Sequence, residues 1–111
     1  MVVTKYRYSA FLHTSLELRL RTLGITRLYF CGTQTNVCVI TNAIDALQRD
    51  FSPVLVADAS VTVRRESHDG AVREFAEHVG PVLTGSEAIA RWDAQATKAN
   101  TEMNRDSLET P

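Results

Sequence analysis

A surplus of charge of either sign is missing from this 111-residue chain: 12 Lys and Arg stand against 13 Asp and Glu, a formal net charge of −1. Nothing draws the molecule as a whole to nucleic acid or anionic lipid, and no basic run does so locally. Long hydrophobic runs are missing too. No stretch approaches the about 18 apolar residues that cross a bilayer, and Met1-Val2-Val3-Thr4-Lys5 lacks the apolar core of a secretory signal. Cysteine is scarce. Cys31 and Cys38 are too few for a disulfide framework, and their C-x6-C spacing is not the C-x-x-C of redox proteins. A reducing cytoplasm fits that usage. The length suits one domain, and the composition, 44% hydrophobic and 23% charged, is that of an ordinary soluble globular protein.

What is present is an alternation of helix and strand patterns. Leu16, Leu20 and Leu23 fall at i, i+4 and i+7, with Leu18 beside them, so a helix is expected over Ser15 to Leu23, ended by Gly24. Thr26 to Cys31 reads as a buried strand, and Gly32 to Asn36 as a turn. Asn36 is placed to cap a helix over Val37 to Arg49. Pro53 to Ala57 reads as a second buried strand, Asp58 to Arg65 as a loop and Glu66 to His78 as a third helix. Pro81 to Thr84 is a short third strand, and Ser86 the cap of a last helix through Trp92. The order is that of an α/β protein: a partial doubly wound parallel sheet of about three strands, flanked by helices in a Rossmann-like three-layer architecture. Residues 1–92 form the domain. The stretch 93–111 has no sustained period and is expected to be a disordered tail.

One arrangement is chemically pointed: a strand, a Gly-containing turn, then a helix beginning near Cys38. In a parallel sheet that turn lies at the carboxyl edge, where ligands bind. The positive end of the helix dipole favours thiolate there, thiolate is the nucleophile, and free N–H groups at a helix start can hold an oxyanion. Taken by itself, Cys38 is more often a small buried hydrophobe, and Cys31, at the end of an apolar strand, is read as core.

Gly32-Thr33-Gln34-Thr35-Asn36-Val37-Cys38-Val39 resembles the G-x-x-T-x-x-C-V nucleophile motif of the isochorismatase-like cysteine hydrolases. Lys5 to Phe11, followed by Thr14 and Leu16, resembles that family's K-x-x-x-S-A-F-x-x-T-x-L block. Ala43, Asp45-Ala46, Asp58-Ala59 and His68 fit as well, so the resemblance runs from Lys5 to Trp92. It implies an Asp, Lys and Cys triad, with Cys38 as nucleophile and Lys5 as the cation beside it. It implies a cis bond between Thr33 and Gln34, with the N–H groups of Gln34 and Cys38 facing the oxyanion. The implied reaction is hydrolysis of an amide-type C–N bond in a small molecule through a thioester on Cys38, as in the nicotinamidase and N-carbamoylsarcosine amidohydrolase branch.

The family's aspartate ends a strand of the form apolar-run-D-x-Q, and no such strand precedes Lys5. The chain is therefore expected to be the C-terminal portion of such a domain with an incomplete triad. Asp45, Asp50 and Asp69 are unconvincing replacements, and Asp58 is expected to brace a loop. The strand Thr26 to Cys31 is expected to be an open edge, favouring marginal stability and association with a second copy or a missing N-terminal segment. A catalytically inactive relative acting only by association is the competing reading. No cofactor is expected, and no metal: His13, His68 and His78 lack ligand spacing. Tyr8, Phe11, Arg64 and Arg65 are candidate pocket residues, with core packing (Tyr8 and Phe11) and solvation (the arginines) as the alternatives.

Overall fold

The computed structural model describes the backbone of residues 1–109 and the side chains of residues 1–98. Three parallel strands, β1 (Arg27–Thr33), β2 (Ser52–Val61) and β3 (Val82–Leu83), lie in the order β1-β2-β3. Helices α1 (Leu16–Thr22), α2 (Ile40–Gln48), α3 (Arg65–His78) and α4 (Gly85–Glu109) flank them in an open three-layer α/β sandwich. Side chains of a strand alternate between faces. Phe30 and Leu55 pack with Val39 and Ala43 around α2 and with Phe75 of α3, and α1 docks beside them through Leu20 against Phe11, Ala46 and Phe51. Tyr29, one residue along from Phe30, meets Trp92 of α4 with ring centroids 5.9 Å apart, so α4 lies on the opposite face.

Helix ends follow local chemistry. Gly24, at φ +71°, closes α1: its N–H bonds Arg21 and that of Ile25 bonds Leu20, a Schellman arrangement. Asp50, at φ +67°, does the same after α2, with Phe51 N–H on Ala46. The cap of α4 is Thr84, not Ser86. Glu87 N–H donates to Thr84 Oγ1 at 3.2 Å and Thr84 N–H to Glu87 Oε1 at 3.0 Å, a reciprocal capping box, and Ser86 lies two residues further on, inside the helix. The Thr84 N–H, then its side chain, hold the Glu87 carboxyl below the ordinary glutamate value, with Arg91 adding to this. A depressed folded value means stabilisation that is present above the unfolded carboxylate range and lost as pH falls through the folded value. Thr84→Ala is expected to cost about 1 kcal/mol, and Glu87→Gln to flatten the acid side of a melting-temperature profile; thermal melts from pH 3 to 7 check both.

Beyond Trp92 the helix continues, because Ala94, Gln95, Ala96 and Lys98 are strong helix formers even without a sustained apolar face. The tail expected over 93–111 thus falls on α4 as far as Glu109, and its last two residues lie outside those described. β2 is longer than its apolar core. Between the pairs Phe30↔Leu55 and Gly32↔Ser60, Cys31 alone faces Val56 to Ala59. Four residues of β2 thus stand against one of β1 in this bulge, and the buried Ser60 hydroxyl spans it by donating to the Val56 carbonyl at 2.9 Å. Cys31, read as core, is exposed. It sits at the bulge of an edge strand, on the face away from the α2 and α3 packing. Among the described residues no helix is long and apolar enough to cross a membrane.

Candidate functional site

The bulge and the parallel register bring the ends of β1 and β2 together at the carboxyl edge of the sheet. Gly32, at φ +119°, bends the chain out of β1, a conformation that side chains with a Cβ rarely adopt. The Thr33–Gln34 peptide bond that follows is cis, at the position the resemblance indicates. The next turn is wider than an α-helical one. The Gln34 carbonyl accepts N–H groups from both Val37 and Val39 at 3.1 Å, an i to i−5 closure over Thr35–Val39 before α2 begins at Ile40. Such π-type turns recur at functional sites. Asn36, expected to cap, makes no cap bond, since the Gln34 backbone carbonyl closes this turn. Cys38 is half-buried within it.

Three contacts fix that turn. Thr35 is 1% exposed and its Oγ1 lies 2.8 Å from His68 Nδ1 on α3. Gln34 Oε1 accepts from Thr62 Oγ1 at 3.4 Å, beyond the end of β2. Asn42, one helical turn past Cys38, spends both carboxamide N–H groups and one acceptor site. It donates to the carbonyls of Cys38 (2.7 Å) and Tyr8 (2.8 Å) and accepts from the Ala10 N–H (2.7 Å). Nothing in the sequence pattern singles out Asn42 or the buried role of Thr35. The available signal was a poor helix former, Asn, amid Ile40, Thr41, Ala43 and Ile44.

The other candidates are dispersed. Lys5 is exposed and its Nζ donates to the Arg7 carbonyl at 2.8 Å; among the described residues no hydrogen bond joins it to Cys38. Lys5, Tyr6, Arg7 and Tyr8 line a shallow depression of their own. Phe11 belongs to the core, its ring tilted by 38° against Phe51 with centroids 5.9 Å apart and capped by the Arg49 guanidinium at 5.3 Å. Arg64 is exposed at the start of α3. Arg65 pairs with Asp69 at 3.3 Å and, with Asp58, Thr62 and His68, lines an open cleft of about 620 Å³ beside the turn, which Cys38 does not line. Asp58 braces α4, accepting the Gly85 N–H at 2.7 Å. Asp45 pairs with Arg49 at 3.7 Å. His78 stands exposed beside Glu74 and Glu77, 3.8 Å from each.

The family model described as "Isochorismatase domain" matches residues 1–87. The sequence is 36% identical over 88 residues to the phenazine biosynthesis protein PhzD1 of Pseudomonas aeruginosa, taking in 79% of this chain and 42% of that protein. Among solved structures, a cysteine hydrolase from Pseudomonas syringae pv. phaseolicola superposes with a TM-score of 0.80 at 28% identity, over 85% of this chain and 49% of that one. The nicotinamidase PncA of Bacillus subtilis superposes with a TM-score of 0.69 at 38% identity, over 71% and 44% of the respective chains. The chain spans less than half the length of each of these three proteins.

Proposed function

The chain belongs to the isochorismatase family, and from that premise we propose that it carries the nucleophile portion of a cysteine hydrolase site for amide-type C–N bonds of a small molecule. The observation that carries this reading is the half-buried Cys38, held in a wide turn at the carboxyl edge of the sheet directly after the Thr33–Gln34 bond. The Cys38 thiolate attacks the carbonyl carbon, a C–S bond forms, and the N–H groups of Gln34 and Cys38 receive the oxyanion. Collapse breaks the C–N bond, and the amine leaves with the proton that the base took from the Cys38 thiol. Water then cleaves the thioester, releasing the acid and the thiol. Lys5 supplies the neighbouring cation by moving from the Arg7 carbonyl to the sulfur.

The proton acceptor is drawn from outside the aspartates already placed. Asp45, Asp58 and Asp69 are each engaged with Arg49, Gly85 and Arg65. Their engagement, together with relatives about twice as long, supports reading the chain as one portion of a larger site with the base supplied elsewhere. The β1 edge supports association, with a second copy or an N-terminal segment of the same fold. It is unpaired on one side and flanked by an apolar groove of about 590 Å³ lined by Ile25, Leu28, Tyr29 and Trp92. The same edge favours the second reading, a non-catalytic relative that acts by association. Two free thiols accord with a cytoplasmic setting.

Activated esters and amides of small carboxylic acids, followed by mass spectrometry of the two cysteine peptides, separate these readings. Acylation is expected on Cys38 at least about 10-fold faster than on the exposed Cys31, and the adduct is expected to be lost in Cys38→Ala and kept in Cys31→Ser. Labelling of Cys31 with Cys38 untouched sinks the catalytic reading.

A further inference from the structure

We propose that Asn42 is a positioning residue, the joint that holds the Lys5 segment against the turn of the reactive cysteine. This rests on the reading of Cys38 as nucleophile and Lys5 as its cation. The two residues are 33 positions apart in the chain, and no strand or helix carries Lys5. Something other than secondary structure has to set where it stands.

The Asn42 carboxamide does so from both ends. Its oxygen takes the Ala10 N–H and one of its N–H groups takes the Tyr8 carbonyl, so the backbone on either side of the buried Ser9 is held by one side chain. Its remaining N–H bond goes to the carbonyl of Cys38 itself. Both donors are therefore spent, on two segments at once, and no other residue described here bonds the two together. Ser9 closes the segment from within, its Oγ accepting the Phe11 N–H at 3.2 Å, and Phe11 anchors it in the core. Lys5 lies three residues before Tyr8, at the free end of this anchored stretch. Loss of the carboxamide leaves Phe11 buried but frees Tyr8 and everything before it.

The test uses the full chain with Cys31→Ser, so that Cys38 is its only thiol, and reads iodoacetamide alkylation at pH 7 and its salt dependence. Lys5→Met is expected to slow Cys38 by about 10-fold and to remove the salt dependence. Asn42→Ala is expected to do the same within about 2-fold, and the double variant to be no slower than the slower single one, because residues acting through one another are not additive. Asn42→Asp keeps the size and the acceptor for Ala10 but loses both donors, and it is expected to follow Asn42→Ala. It serves as the second variant should the alanine form unfold. Amide exchange at Ala10 reads the joint directly, and it is expected to quicken in Asn42→Ala and not in Asn42→Asp. An activated Cys38 whose rate and salt dependence survive both Asn42 substitutions overturns the positioning role alone, as does a double variant whose losses multiply. A parent Cys38 that reacts like a free thiol and ignores Lys5→Met overturns the proposed function together with it.

Discussion

Phe75→Ala is expected to lower the unfolding free energy by about 3–5 kcal/mol, the range for deleting a buried aromatic ring and leaving its cavity. Phe75 is fully buried and joins α3 to Leu55 of the central strand, to Val39 at the end of the wide turn and to Ala43 of α2, with Val72 and Val79 of its own surroundings closing the cluster. Small domains commonly hold only about 5–15 kcal/mol in total, so a large share of the stability goes with it. The effect reaches the candidate site. Val39 is the residue after Cys38, and His68, which holds Thr35, lies on the same helix as Phe75. Urea unfolding with the midpoint and slope compared against the parent measures the loss. A change below about 1 kcal/mol, the scale of an ordinary surface substitution, would mean that α3 is not docked over β2 in solution.

What was legible in the sequence were the patterns that repeat over a few residues. Leu16 and Leu20 mark the core face of α1, Gly24 marks its end, and the run Pro53 to Val56 marks a strand covered on both faces. Periodicity tells which side chains share a face, but not whether anything covers it. Cys31 follows the apolar run Leu28 to Phe30 and reads as part of it, yet it sits at a bulge of an edge strand and meets solvent. The bulge is itself hidden, because Asp58 and Ala59 read as the start of a loop when the ladder beyond them, Ser60 and Val61 on Gly32 and Thr33, cannot be seen. The motif placed Cys38 at the mouth of the turn. What holds that turn lies outside any motif window: Asn42 to Tyr8 and Ala10 spans 34 and 32 positions, and Thr35 to His68 spans 33. Local spacing carries no signal for bonds of that range. Lys5 shows the converse, since the block around it was legible but its contact with Arg7 was not.

Two glycines on either side of Phe75 are expected to answer alanine with opposite signs. Gly70 is inside α3, and a Cβ there meets nothing closer than the tip of the Arg73 side chain at 4.0 Å. Gly70→Ala removes backbone freedom from the unfolded chain and is expected to stabilise by about 0.5–1 kcal/mol. Gly80 follows the end of α3, where its N–H bonds the Phe75 carbonyl at 3.0 Å and turns the chain toward β3. A Cβ there would stand far inside van der Waals contact of the Pro53 carbonyl oxygen, 3.4 Å from its carbon and 3.6 Å from the Phe75 ring. Neither neighbour is a flexible tip. Pro53 is buried in the central strand, and the adjoining Leu55 N–H to Pro81 carbonyl bond, at 3.0 Å, fixes the distance between that strand and the residue after Gly80. Relief therefore requires backbone to move and that bond to lengthen, so Gly80→Ala is expected to cost about 2–3 kcal/mol, in the upper part of the range for overpacking. The two variants measured side by side by urea unfolding differ in sign if the end of α3 is seated on β2 as described. A Gly80→Ala protein as stable as the parent would place that helix end away from Pro53, and with it loosen the support that α3 gives to Thr35 through His68.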